Sequence, residues 1–214
     1  MEVKRISYDE TKPFILSVHY ARRMPCIQYA FGLFDNDEII GVVTYGQPAS
    51  PSLCKGVAGE NNRKNVLELN RLVIKPTYNG KNIASFLVSK SLKLLPAHLI
   101  IVSYADVGGW GHVGYVYQAT NFYYTGMTKP RTDKYGGDNG HSRHYKENEN
   151  RRQIRTAKYR YVIFTGTKRD KKELLHELKY PIIKEYPKGN SVNYDIKNPT
   201  PVNKELGKII LKAE

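Results

Sequence analysis

Glu68-Leu69-Asn70-Arg71-Leu72-Val73-Ile74-Lys75-Pro76-Thr77-Tyr78-Asn79-Gly80-Lys81-Asn82-Ile83-Ala84-Ser85 is the stretch from which the fold of this 214-residue chain is read. A strand over 66–75 stops at Pro76, a short loop turns, and a helix opens over 81–95. The first N–H groups of that helix have no intrahelical partner. Together with the helix dipole they form a site for a phosphate or another anion.

Before this unit, 8–22 reads as a helix with Asp9 as its N-cap and Pro25 beyond its end. The segments 28–34 and 38–46 read as strands joined by the turn Asp35-Asn36-Asp37, a hairpin pattern. The Gly/Ser/Asn-rich stretch 48–65 reads as a long loop. After the unit, 99–104 is a nearly continuous apolar run, a strand buried on both faces. A Gly-rich turn, a short helix over 113–120 and a strand over 122–126 follow. The polar, basic stretch 128–158 reads as an extended loop, 159–165 as a strand and 169–178 as a helix before a Pro-punctuated tail. This order predicts a mixed α/β sheet with a parallel centre.

Composition narrows the function. Hydrophobic residues make up 40% of the chain, too many for a disordered one. No apolar run approaches the ~20 residues that span a bilayer, and the first ten residues lack a secretory h-region, so a cytoplasmic protein of a bacterial host is expected. Cys26 and Cys54 form no CxxC pair and read as free thiols; nothing has the Cys/His spacing of a zinc site. The net charge is +14, and 129–172 carries fourteen Lys/Arg against five Asp/Glu. Such a concentrated excess is the footprint of phosphate-backbone binding, with a merely solvated basic face as the plain alternative. Seventeen Tyr beside six Phe and one Trp supply rings with a polar handle, suited to stacking on bases, although half-buried sheet positions account for most of them.

The opening stretch resembles the pyrophosphate-binding segment of GNAT acyltransferases: Val-x-Pro, two residues, Gln or Arg, two residues, Gly, one residue, Gly or Ala. Ile74 and Pro76 take the first positions and Ala84 the last. Asn79 stands for Gln/Arg and Asn82 for the first Gly, with Gly80 nearby. The resemblance implies a GNAT-like sheet, mixed and mostly antiparallel, with splayed parallel central strands flanked by helices. It also implies that Val73, Ile74, Asn79 and Gly80, then Lys81, Asn82, Ala84 and Ser85, hold the acyl donor, acetyl-coenzyme A by superfamily default.

A second block, Ser103-Tyr104-Ala105-Asp106, then Gly111-His112-Val113-Gly114, Tyr117-Gln118-Ala119-Thr120-Asn121-Phe122 and Tyr124-Thr125-Gly126, resembles the Mom-type adenine-modification proteins of phages. So do Glu68-Leu69-Asn70-Arg71, His19-Tyr20 with Arg23 and Pro25, Lys179-Tyr180-Pro181 and Tyr186-Pro187-Lys188-Gly189, so that the resemblance spans 17–189. It implies a transferase leaving a carbamoylmethyl group on the exocyclic amine of adenine in double-stranded DNA, protecting phage DNA from restriction.

Chemistry then suggests roles. Asp106 lies just past the carboxyl end of a buried strand, where open α/β sheets place ligands, and is a candidate base; a helix cap is its structural alternative. Tyr117 is a candidate proton relay or donor, or a core residue. Arg71 is a candidate clamp for phosphate or carboxylate, or an ion-pair partner of Glu68. His19 and His112 are candidate bases, with metal ligation beside Asp106 a lesser option. An enzyme acting on a duplex base takes it out of the stack, and Trp110, His112 and Tyr115 are placed to meet it. Arg131, Lys134, Arg143, Arg151, Arg152 and Arg155 would grip DNA from the basic loop 129–158. The donor is either acetyl-coenzyme A or an activated glycine such as glycyl-tRNA, because N-glycyl and N-carbamoylmethyl groups are constitutional isomers. The catalytic domain is expected over 1–167, with a helical, Pro-rich extension over 168–214. Two other functions fit the same residues: an N-acetyltransferase of a small amine or protein, and a non-catalytic DNA-binding relative.

Overall fold

The strand–turn–helix unit at 66–94 forms as the sequence pattern requires, at the middle of a seven-stranded sheet. The computed structural model describes residues 1–78, 80, 82–135, 151–190 and 210–212, the last three as backbone. Contacts divide the chain into two compact units, one of Met1–Ser103, Val116–Gly126 and Tyr161–Tyr186, the other of Tyr104–Tyr115, Met127–Arg160 and Pro187–Glu214.

The first unit is built on the sheet β1(Glu2–Arg5), β2(Tyr29–Asp35), β3(Glu38–Gly46), β4(Val66–Ile74), β5(Ile100–Ala105), β9(Tyr159–Phe164) and β6(Tyr123–Met127), adjacent in that order. The first four strands pair antiparallel and β4 pairs with β5 in parallel. The expected class, a mixed and largely antiparallel sheet with a parallel centre and flanking helices, is the one observed. In β3 residues of both parities are buried, so the strand is covered on both faces. Val42 packs with Phe14 of α1(Tyr8–Ser17), whereas the Tyr45 hydroxyl meets Ser91 Oγ of α3(Ile83–Leu94) at 2.7 Å. Helices therefore cover the centre from opposite sides.

Several boundaries differ from the sequence expectation. The N-cap of α1 is Ser7 rather than Asp9: Ser7 and Glu10 form a reciprocal capping box, and the helix ends at Ser17 instead of 22. Strand β1 was not foreseen, because Glu2-Val3-Lys4-Arg5 has no apolar alternation; its backbone pairs with β2. The stretch expected as a loop over 48–65 contains α2(Pro51–Asn62), which starts where Ser50 accepts the Leu53 N–H and Pro51 occupies the first turn. Gly59, at φ +73°, kinks it, and the Val57 carbonyl accepts the Lys179 N–H at 2.9 Å. Lys179 follows α6(Lys168–Glu177), which belongs to this first unit.

The second unit holds α4(Val107–Trp110) and a sheet in the order β10(Ile210–Lys212), β8(Arg151–Arg155), β7(Arg131–Lys134). Strands therefore occupy both ends of the segment expected to be a loop. The backbone ladder runs from Arg131↔Arg155 to Lys134↔Arg152, and the charged side chains obscure any apolar period. The helix α5(Tyr115–Ala119) is shorter at both ends than the expected 113–120.

Candidate functional site

In the first unit the site region begins where the parallel pair separates. The β4–β5 ladder ends at Glu68↔Val102, while β4 stays paired with β3 as far as Ile74↔Gly41. The Leu69 carbonyl, no longer served by the ladder, accepts the hydroxyl of fully buried Ser103 at 3.1 Å. One residue further, Thr44↔Arg71 and Tyr45↔Leu69 are successive pairs, so Asn70 is the extra residue of a bulge. Its Oδ1 accepts the buried Thr44 hydroxyl at 2.6 Å and its Nδ2 donates to the Cys26 carbonyl at 2.9 Å. That close approach needs Gly46, where a Cβ would lie 1.8 Å from the Cys26 oxygen.

Arg71 serves the same segment. Its Nε and Nη2 donate to the Arg23 carbonyl at 3.3 and 2.9 Å, and Nη1 donates to the Asn70 carbonyl at 2.6 Å. Burial lowers its pKa, with Tyr20 and Glu68 opposing and Arg23 adding to the effect. His19 is buried, accepts the Ala21 N–H on Nδ1 at 3.0 Å and stacks on Tyr20 with centroids 4.3 Å apart. His19 and Arg71 thus lie in one region with residues 20–28. Tyr117 is half-buried, its ring 5.3 Å from that of Tyr161 and 5.4 Å from that of Phe122. Burial pushes its phenol up to about 12, with a hydrogen bond to Ser103 opposing the shift. The phenol is therefore a proton donor across the neutral range.

The start of α3 is where the sequence pattern sets an anion site. Asn82 takes the N-cap at φ +69°, a left-handed conformation that Asn tolerates better than most side chains, which explains its presence where the GNAT pattern has Gly. The Asn82 side chain makes no capping bond, so it leaves the first N–H groups of the helix to other partners. The Ser85 hydroxyl donates to the Asn82 carbonyl at 3.0 Å. Val73 is buried in the core with Phe14 and Val42, Ile74 is half-buried, and Gly80 is exposed. Asn79 and Lys81 lie outside the described residues.

The second unit contains Asp106, the N-cap of α4. Its Oδ1 accepts the Gly109 N–H at 2.9 Å and the Thr156 hydroxyl at 2.7 Å, and its Oδ2 accepts the Lys158 ammonium at 2.9 Å. The Asp106 carbonyl accepts the N–H groups of Trp110 and His112, both at 3.1 Å. Burial acts to raise the carboxyl pKa, but Lys158, Thr156 and Gly109 outweigh it and hold the group below the usual carboxylate range. Burial lowers the His112 pKa, Asp106 opposing and Lys158 adding to it, so the ring is neutral at pH 7.

The other residues expected to meet DNA are dispersed over this unit. Trp110 is half-buried, and exposed Tyr115 donates its hydroxyl to the Gly189 carbonyl. On the hairpin, Asp133 pairs with Arg155 Nε at 2.8 Å and Arg131 Nε at 3.4 Å on one face. Lys134 and Arg152 stand opposite each other on the alternate face. Arg143 lies outside the described residues, and Arg151 is described as backbone paired with Lys212. Sequence reasoning gave no role to Lys158, Thr156, Ser103 or Asn70. Lys158 was visible as one basic residue among many, but no local pattern links it to Asp106, 52 positions away.

Similarity to known proteins adds an independent line. Methylcarbamoylase mom of Escherichia phage Mu is 30% identical over 131 residues, 59% of this chain and 54% of that protein, so the chain spans about half the length of the curated relative it matches. Among solved structures, yncA, a putative acetyltransferase from Salmonella typhimurium, is 10% identical with a TM-score of 0.48, covering 78% of this chain and 95% of that one. An N-acetyltransferase from Staphylococcus aureus is 15% identical with a TM-score of 0.44, covering 77% of this chain and 99% of that one. The model of the Mom protein family matches residues 1–188, a span that takes in the parting strands, the start of α3, Asp106 and the basic hairpin. The chain is a member of the Mom protein family.

Proposed function

We propose that this protein modifies adenine in double-stranded DNA, leaving a carbamoylmethyl (methylcarbamoyl) group on the exocyclic amine, and so shields phage DNA from restriction in the host cytoplasm. The observation that carries this reading is the family match over 1–188, beside which stands a relative named methylcarbamoylase. The cationic hairpin supports a DNA substrate.

The exocyclic amine is a weak nucleophile, its lone pair conjugated with the ring, so a base must take its proton as the new bond forms. His112 suits that role, because its ring is neutral at pH 7, whereas the Asp106 carboxylate is held far below that range. Within the first unit, the start of α3 offers its N–H groups to a phosphate. Bound coenzyme A would supply an acyl thioester; acetyl, however, does not carry the nitrogen that the product contains.

The donor that balances the atoms is an activated glycine ester such as glycyl-tRNA. The adenine amine attacks the glycyl carbonyl, and the ester oxygen of the tRNA leaves with a proton. The free glycyl amine then attacks the ring carbon that bears the amide. Cleavage of the old carbon–nitrogen bond leaves that nitrogen as the terminal carboxamide. The tests are nucleoside mass spectrometry on DNA from expressing cells, and purified protein supplied with DNA and either glycyl-tRNA or acetyl-coenzyme A. Unmodified DNA beside abundant soluble protein, with glycyl-tRNA present, would refute the activity. Modification with acetyl-coenzyme A alone would refute the donor.

A further inference from the structure

We propose that Asp106 is a positioning residue, the anchor that mounts the basic β7–β8 hairpin for DNA engagement, and not a proton acceptor in the reaction. The inference rests on the reading that the protein acts on DNA, and its evidence lies within the second unit. Each end of the hairpin is held. Three residues before β7, Thr128 donates its N–H to the Lys158 carbonyl at 2.9 Å, and its Oγ1 accepts the Lys158 N–H at 3.0 Å. Lys158 stands three residues after β8, so these two bonds close the stem of the hairpin.

The stem is in turn fastened to Asp106. The carboxylate takes the Thr156 hydroxyl at 2.7 Å and the Lys158 ammonium at 2.9 Å, one residue on either side of Ala157. The Ala157 carbonyl accepts the Gly108 N–H at 3.2 Å. The fit is close: a Cβ on Gly108 would lie 2.8 Å from Thr156 Cβ and 3.1 Å from the Ala157 nitrogen. Three successive residues, Thr156, Ala157 and Lys158, are thus attached to the turn that Asp106 caps.

A carboxylate so engaged is badly placed to take a proton. Oδ1 already accepts from two fixed donors and Oδ2 holds the Lys158 ammonium, so a proton taken on the carboxylate would discharge that ion pair. The same engagement is what an anchor needs, because charge-assisted hydrogen bonds hold geometry better than neutral ones. The cargo is the hairpin, where Arg131 and Arg155 share Asp133 on one face and Lys134 faces Arg152 on the other. Cations aligned on a fixed ribbon lose less freedom on meeting a phosphate backbone than cations on a loose one.

The test compares Asp106→Asn, Thr156→Val, Thr156→Ser and Lys158→Met in the full-length protein. Three readouts are taken: hydrogen exchange of the β7 and β8 amides without DNA, affinity for a fluorescent duplex, and turnover at saturating duplex. Asp106→Asn, Thr156→Val and Lys158→Met are expected to speed hairpin exchange and weaken duplex binding by about tenfold each. Thr156→Ser, which keeps the hydroxyl, is expected to match wild type, and turnover at saturating duplex is expected to persist in all four. Loss of turnover in Asp106→Asn alone, with exchange and affinity unchanged, would place Asp106 at the reacting atoms and overturn the proposal. Faster exchange with unchanged affinity would overturn the link to DNA. A wild-type protein that binds no duplex would sink the functional reading, while the exchange data would still decide whether Asp106 anchors the hairpin.

Discussion

Replacing Asn70 by Ala removes one side chain from two hydrogen bonds, and the structure sets the size of the effect. The Thr44 hydroxyl is fully buried and loses its acceptor at 2.6 Å. An orphaned buried donor costs about 1–3 kcal/mol. The Cys26 carbonyl loses a donor at 2.9 Å, but Cys26 is exposed and water replaces much of that bond, so about 0.5–1 kcal/mol is lost there. The sum is about 3 kcal/mol, which for a chain of this length lowers Tm by about 6–12 °C. The informative assay is a double-mutant cycle with Thr44→Val, read by urea and thermal unfolding. Once Asn70 is gone, removing the Thr44 hydroxyl abolishes an unsatisfied donor instead of breaking a bond. The second substitution is then expected to cost about 1–2 kcal/mol less than it does in the wild type. Additivity within about 0.5 kcal/mol would refute the account of the bulge as a polar bridge between β3 and the segment at Cys26.

Three further outcomes are expected. His112→Ala should abolish turnover, and the wild-type rate should fall on its acid side. Because the folded pKa of His112 lies below its unfolded value of 6.5, any stability contribution is complete above pH 6.5 and is lost as pH falls through the folded value; a rate that rises as pH falls below 6.5 would contradict the assignment. Asn82→Gly should keep the fold with little change in Tm, whereas Asn82→Val should cost about 1–2 kcal/mol, since φ is +69° there; equal melting temperatures for the two variants would count against that conformation. Arg152→Ala should reduce the slope of log K against log salt for duplex binding by about 0.9, the loss of one phosphate contact, and an unchanged slope would remove Arg152 from the DNA-contacting face.

Much of the frame is local chemistry and was legible in the chain. Asp35-Asn36-Asp37 turns β2 into β3 with Asn36 at φ +52°, and Pro76 ends β4 before the helix that starts after Asn82. The charge excess at 129–172 was plain in the chain but said nothing of the geometry that carries it. Strands β7 and β8 went unseen because strand recognition depends on one buried face, and here charged side chains occupy most positions. Helix α2 went unseen because Gly, Ser and Asn were weighed as loop formers, although Ser50-Pro51 is also a helix start.

Site residues divide the same way. The sequence by itself determined which residue types stand at the end of β5 and at the start of α3, because periodicity, turn residues and caps act over a few positions. Only the tertiary structure decided what those residues do. Arg71 holds the Arg23 carbonyl, Asn70 bridges Thr44 and the Cys26 carbonyl, and Asp106 holds Thr156 and Lys158. These partners lie 26 to 52 residues apart in the chain. Strand order and register bring them together, and a carboxylate or guanidinium finds its role only when folding has chosen which donors and acceptors surround it.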